Sequence, residues 1–244
     1  YKMGIKDVDW LNPNSKVSER PSQSTEVLFI EQAEKYLVEG GYLAIVVPDG
    51  VLTNSSMQYV RDYISDTFRI VAIISMPQTA FSANGAGVKS SVMFLKKFSA
   101  SEKQTRIDLR NNIQNNLISN SEDGIRLFEL LKKKKGEISK INKQIKQAEK
   151  KQNKSEVEIL KNKKQVITEE YDEQIEFTKE TLSDMYLEQY KHILNDYPIF
   201  MAIAEDIGYD ATGKETKGNE LPAISEELVK FIKAIEEGKD RFFQ

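Results

Sequence analysis

The chain has 244 residues, of which 39% are apolar and 30% charged, with a formal net charge of −3. So small a net charge makes no whole-chain case for nucleic acid, and any such case must come from local asymmetry. Cysteine is absent and His192 is the one histidine, which argues against disulfides, thiolate nucleophiles, histidine metal sites and histidine triads.

The charged fraction is too high for one compact globule and predicts a long solvated element. No apolar run approaches the ~18 residues that span a bilayer, and no signal peptide is visible. We therefore expect a cytoplasmic protein without a membrane partner. The chain opens on Tyr1 rather than methionine, and a fragment of a longer protein is expected.

Residues 1–22 are polar, with Pro13 and Pro21, and read as a loop. Ser24 is placed to cap a helix whose apolar face is Val27, Ile30, Ala33, Tyr36 and Leu37. Gly40-Gly41 ends it, because glycine accepts the positive φ of a helix stop. Tyr42 to Val47 is apolar without alternation, as in a strand buried on both faces, and Pro48-Asp49-Gly50 closes it. A helix with Met57, Val60, Ile64 and Phe68 inward leads to a second apolar strand, Arg69–Met76. Two buried strands joined by a helix imply a right-handed crossover in a parallel α/β sheet. In such sheets ligands bind beyond the carboxyl ends of the strands, here Pro48–Leu52 and Met76–Gly87. Val88–Lys97 reads as a third strand, returning antiparallel beside the second. Phe98–Asn120 is polar and weakly patterned, and no element is assigned to it.

From Ser121 the pattern changes. Leu131, Lys134, Ile138, Ile141, Ile145 and Ala148 step by three and four, as in a heptad seam. Ser155-Glu156-Val157-Glu158 reads as a capping box that restarts a helix after Lys150–Lys154. Val157, Leu160, Lys164, Ile167, Tyr171, Thr178, Leu182 and Met185 continue the seam, with a register shift at Ile175. Each stripe needs a cover, and an antiparallel helical hairpin is the simplest solution. Its charge is segregated. Lys132 to Lys164 holds thirteen lysines against four glutamates, and Gln165 to Tyr190 holds eight acids against Lys179. The turn end therefore reads as basic and the root as acidic. Two readings stand: a solvated lysine-rich coiled coil, or a basic tip that meets phosphates or an acidic partner in a salt-sensitive way. Under the second, the contact candidates are Lys132, Lys133, Lys134, Lys135, Lys150, Lys151 and Lys154.

Tyr197–Asp206 is a fourth apolar run, expected to pair with the third strand. Gly208-Tyr209-Asp210 with Thr212-Gly213 is turn chemistry, Glu215–Glu220 a polar loop, and Ser225–Ile235 a short amphipathic helix. The expected architecture has a partial α/β core at 1–120, a helical hairpin at 121–192, and a return strand and helix at 193–244.

No complete catalytic constellation is visible. Gly85-Ala86-Gly87 is a piece of a phosphate loop at best. Asp49 ends a strand at the ligand edge, where it either meets a ligand or ties a turn. Phe81, among Ser82, Asn84 and Gly85, either stacks on a planar ligand or plugs the end of the sheet.

The stretches "STEVLFIEQAEKYLVEGGYLAIVVPDGVLTNSSMQYVRDYI", "IISMPQTAFSANGAGVKSSVMFLKK" and "PIFMAIAEDIGYDATG" closely resemble the modification subunits of type I restriction systems. These are adenine-N6 DNA methyltransferases that use S-adenosylmethionine. The resemblance covers Ser24–Lys97 and Pro198–Gly213. It implies the C-terminal half of a Rossmann-like class I methyltransferase sheet, into which the hairpin is inserted. It also implies DNA, a specificity subunit and a restriction subunit as partners. By the same resemblance Phe81 stacks on the flipped target base, and Lys89 and Ser90 on the same edge touch a nearby phosphate. The family's glycine-rich cofactor loop is absent. So is its Asn-Pro-Pro-Phe motif, for which Asn12-Pro13-Asn14 is only a decoy. The piece alone is therefore expected neither to bind cofactor nor to methylate. The alternative is a non-catalytic interaction module built on a degenerate half-sheet.

Overall fold

The computed structural model describes residues 2–6, 9–12, 15–193 and 197–239. The chain divides into two compact units. One comprises Tyr1–Asp7, Val17–Ile107 and Asp196–Gln244; the other comprises Val8–Lys16 and Asp108–Asn195. Pro13 and Asn14 of the Asn-Pro-Asn triplet lie outside the described residues.

The first unit begins with a one-turn helix, Lys2–Gly4, and a small ladder of β1 (Ile5–Lys6) with β2 (Ser18–Glu19). α1 (Thr25–Tyr36) follows, with Ser24 in N-cap geometry, although its hydroxyl makes no capping bond. Val27 and Ile30 are fully buried, whereas Tyr36, expected inward, is 81% exposed. Glu31 is buried; it accepts the Met3 amide at 2.9 Å and pairs with Lys35 at 3.2 Å.

β3 (Tyr42–Pro48) leads through α2 (Asp49–Thr53), a short 3-10 turn and α3 (Gln58–Thr67) into β4 (Phe68–Ser75), and β5 (Ser90–Lys97) returns. β5 lies between β3 and β4 and is antiparallel to both, so the two like-directed strands are not neighbours. β3 is consequently an edge strand among the described residues. Its inner face, with Leu43, Ile45 and Val47, packs on the core, while Ala44 and Val46 are exposed. The sequence lacks alternation because both faces are apolar, yet only one is covered here. A bulge at Val71 turns both Val71 and Ala72 to the same side of the sheet.

α1 and α3 cover one face, where Val27, Ile30, Val60 and Ile64 meet Val47, Phe68, Met93 and Leu95. At one end of this face Lys97 Nζ donates to the carbonyls of Glu34 (2.7 Å) and Leu37 (2.8 Å), while the Glu34 carboxylate pairs with Lys103 at 3.3 Å. Tyr63 donates to that carboxylate; burial, with Glu34 and Glu31 nearby, pushes its phenol well above the ordinary tyrosine value.

Residues left unassigned from sequence form α4 (Ala100–Asn120). Its start is a capping box: Ser99 Oγ receives the Glu102 amide at 3.2 Å, and the Glu102 carboxylate receives the Ser99 amide at 2.8 Å. The boundary between the two units falls inside this helix, at Ile107/Asp108.

In the second unit, α5 (Glu122–Lys150) and α6 (Lys154–Ile193) are joined by three residues, with Gln152 at φ +55°. Lys134 pairs with Asp172, and Tyr171 donates to Glu137 at 2.9 Å. As α5 advances, α6 therefore recedes. The cap of α6 is Asn153, not Ser155: its side chain accepts the Glu156 amide at 3.2 Å and donates to the Glu156 carboxylate at 2.9 Å. Ile113 and Leu117 of α4, Leu127 and Leu130 of α5, and Ile175 and Leu182 of α6 form one cluster, with Trp10 and Tyr186 against it. Towards the turn the seam narrows to Ile141, Ile145 and Ala148. Gly124 is required at the α4–α5 turn, because a Cβ there would lie 2.2 Å from the Leu117 carbonyl oxygen.

Back in the first unit, β6 (Phe200–Ile203) adds parallel to β4, not to β5 as the sequence suggested. β5 already has partners on both edges, so it has no edge left for β6, and the outer edge of β4 takes it. β7 (Ile207–Tyr209) and β8 (Glu215–Asn219) form a hairpin where a turn and a polar loop were expected. Asp210 ties its tip by accepting from Thr212 and Lys214. α7 (Leu221–Glu236) starts four residues earlier than expected, with proline in its first turn, and covers the second sheet face with Leu228, Phe231 and Ile235. Among the described residues no helix is long and apolar enough to cross a membrane.

Candidate functional site

The sheet topology gathers the candidate residues Asp49, Phe81, Lys89 and Ser90 at one edge. Chain leaving β3 becomes α2 at Asp49, chain leaving β4 becomes the 76–89 loop, and β5 starts beside both. The Asp49 amide donates to the Lys89 carbonyl at 3.0 Å, and the Met76 amide donates to the Ser90 carbonyl at 3.1 Å. The ends of three strands are thus held together by main-chain bonds.

Asp49 accepts the Ser91 hydroxyl at 2.8 Å, and Lys89 Nζ lies 3.8 Å from its other oxygen. Both partners belong to the chain entering β5, so the carboxylate bridges the end of β3 to the start of β5. Among the described residues it makes no bond to its own turn. Lys89 itself is exposed, with close to half its side chain in solvent. Ser90 is buried and donates to the Val88 carbonyl at 3.2 Å.

The loop that carries Phe81 is internally bonded. The Phe81 carbonyl accepts the amides of Asn84 (3.0 Å) and Ala86 (3.1 Å), Gly85 takes φ +81°, and Gln78 Nε2 donates to the Gly87 carbonyl at 2.6 Å. Phe81 is half-buried, packed on Met76, Ala80, Ala204 and Ile207, while residues 83–89 beyond it are exposed. The β7–β8 tip lies alongside, since a Cβ on Gly213 would sit 3.4 Å from that of Ala83. Sequence reasoning missed this neighbour because a polar turn carries no apolar period.

The arm lysines separate into two groups. Lys133 pairs with Glu129 at 3.6 Å and Lys134 with Asp172, so Lys132–Lys135 stand beside the acidic stretch of α6 and away from the turn. Lys150, Lys151 and Lys154 are exposed and flank the turn itself. Of the seven lysines that the sequence reading assigns to a basic tip, Lys150, Lys151 and Lys154 adjoin the turn and Lys132–Lys135 lie about four turns of α5 before it. Antiparallel pairing of a segregated sequence sets the late acids of α6 against the early lysines of α5.

Where β3 runs into α2, Gly50 is the one glycine, and a Cβ there would meet the flexible Asn54 side-chain amide at 2.9 Å. The glycine-rich loop that holds S-adenosylmethionine in the resembled family has no counterpart at this junction.

A mixed sheet with an antiparallel strand between two like-directed ones, helices on both faces, and an aromatic loop ahead of that strand defines an α/β protein. The family model for N-6 DNA methylases matches residues 5–190, most of the chain, and the chain belongs to that family. The match runs through α4, α5 and almost all of α6, beyond the resemblance at Ser24–Lys97, and stops short of 198–213. No curated protein shows a match. Among solved structures, a candidate class I S-adenosylmethionine-dependent methyltransferase from Listeria monocytogenes aligns at 30% identity. The alignment covers 37% of this chain and 25% of that one, with a TM-score of 0.28. At that score the overlap carries no argument, and this chain spans about a quarter of that relative's length.

Proposed function

We propose that this chain is the target-base side of an adenine-N6 DNA methyltransferase, of the kind that serves as modification subunit in type I restriction systems. The observation that carries the reading is the loop between β4 and β5, which fixes Phe81 beside an exposed glycine-rich segment at the strand-end edge. A methyltransferase must take its base out of the duplex, and an aromatic face of fixed position stabilises the base once it is out. Lys89, exposed on the same edge, meets the neighbouring phosphate. In this reading S-adenosylmethionine is the methyl donor, these 244 residues include neither the glycine-rich cofactor loop nor the amino-group-binding motif, and the chain alone is inactive. The helix pair reaches DNA or a specificity subunit, a restriction subunit completes the assembly, and the complex works in the cytoplasm.

In the full-length protein, Phe81→Ala removes a base-stacking face worth about 1–3 kcal/mol, and methylation slows by roughly 5- to 150-fold. Phe81→Trp retains most of the rate and melts close to the parent, while Phe81→Ala melts somewhat lower because the ring also packs on Met76 and Ile207, so rates are compared at a temperature where both variants stay folded. Unchanged turnover in Phe81→Ala removes the stacking role.

One observation favours a second reading, a non-catalytic module that displays the helix pair to a partner: the length of α5 and α6, which together run from Glu122 to Ile193. Calorimetry of the full-length protein with S-adenosylmethionine separates the two, since the module binds none.

A further inference from the structure

Residues 140–164, the turn end of the helix pair, hold nine lysines against three glutamates. Lys143, Lys146, Lys150, Lys151, Lys161 and Lys163 are all exposed. Among the described residues none of these six forms an ion pair, whereas Lys133, Lys134 and Lys179 nearer the root each do. Within α5, Lys140, Lys143 and Lys146 repeat at i,i+3, and Lys146 and Lys150 at i,i+4. These spacings bring like charges together on one helix and weaken it. A narrow seam of Ile141, Ile145 and Ala148 nevertheless keeps the two helices joined here. The arm therefore holds repelling cations close together at its end while neutralising those further in.

We propose that the turn end, residues 140–164, is a sequence-independent docking surface for the phosphate backbone of duplex DNA, and that Lys132–Lys135 are not part of it. This sharpens the DNA contact suggested above and rests on that reading's choice of DNA as partner, but not on Phe81. The geometry suits the ligand. Eleven residues of helix on each side of the turn extend about 16 Å, alongside roughly nine duplex charges at one per ~1.7 Å. Flexible lysines read no bases, so the contact positions the protein without specifying sequence.

The test measures binding of the full chain to a 30-base-pair duplex by fluorescence anisotropy between 50 and 200 mM salt. The triple variant Lys150→Gln, Lys151→Gln, Lys154→Gln is compared with Lys132→Gln, Lys133→Gln, Lys135→Gln. Each lysine that neutralises a phosphate adds ~0.9 to the salt slope. The turn variant is therefore expected to lower the slope by about 2 to 3 and to weaken binding at 50 mM at least tenfold. The control changes affinity by less than about twofold. Should the turn triple fail to fold, Lys143→Gln, Lys146→Gln, Lys163→Gln on the helix flanks gives the same readout.

A wild-type chain that does not bind, a turn variant that keeps the wild-type slope, or a control that loses as much, overturns the proposal. So does equal competition by a polyglutamate of matched charge, which points to an acidic protein instead. Phe81→Ala should leave the salt slope untouched, so failure of the base-stacking reading and failure of this one are told apart.

Discussion

Phe68 and Leu182 are both fully buried, one in the sheet unit and one in the helix unit, but their surroundings differ in kind. Phe68 sits where α3 passes into β4, among side chains from α1, α3, β3 and β5 that are far apart in sequence. Leu182 belongs to a layer of three helices, with Ile113 and Leu117 of α4 and Leu127 and Leu130 of α5. The sheet unit is stabilised by contacts that form together; the helix unit is a stack of layers that thins from a wide base to Ile141, Ile145 and Ala148. Charge follows the same division. In the sheet unit Glu31, Glu34 and Lys97 are enclosed and fully used, whereas the helix unit leaves most of its lysines in solvent.

If the contrast holds, Phe68→Ala costs about 3–5 kcal/mol and lowers the melting transition of the sheet unit as one cooperative event. Leu182→Ala costs about 2–5 kcal/mol, but hydrogen exchange should locate the loss in α4, α5 and α6 and leave β3–β5 protected. Spread of either effect across both units would break the comparison. Gly124→Ala is a finer probe. A Cβ against the Leu117 carbonyl forces the α4–α5 turn apart, an overpacking cost of about 1–3 kcal/mol, visible as lost exchange protection near Ile113 and Leu117. Asn153→Ala removes the cap of α6 for about 1 kcal/mol, and because the layers are local, only the turn end should fray.

The smallest effect concerns acid. Lys96, and then Tyr42, hold the Glu236 carboxyl below the ordinary carboxylate range. A carboxyl with a lowered folded value stabilises the fold above its unfolded value and loses that contribution as pH falls through the folded one. The contact is solvent-exposed and screened. Acidification should therefore loosen only the last turn of α7, as a slight rise in exchange near Ile235, and Glu236→Gln should remove that pH dependence.

Strands and helices with a filled apolar period were legible in the sequence. Val60, Ile64 and Phe68 point inward as their spacing requires. The elements that were not legible lack such a period. α4 buries only Ile113 and Leu117 along 21 residues, although Ser99 and Glu102 announce its start. β8 is exposed at every position and held by its ladder to β7 and by the Asp206–Thr216 bond, neither of which leaves an apolar trace. Pairing was hardest to read, because β6 had two chemically similar strands to choose from, and occupancy of both edges of β5 decided between them. At the candidate site, the strand-end position of Asp49 and Phe81 could be foreseen. The Ser91 and Lys89 contacts of Asp49, and the hairpin beside Ala83, depend on chain crossings that no local pattern records.

The most direct test places 2-aminopurine at the target adenine of a duplex and follows its emission on binding to the full-length protein. Stacking on an aromatic face quenches this base, so the wild-type complex should stay dim and the Phe81→Ala complex should become several-fold brighter at equal occupancy. Equal emission from the two complexes would contradict the account, because the flipped base would then have a different neighbour.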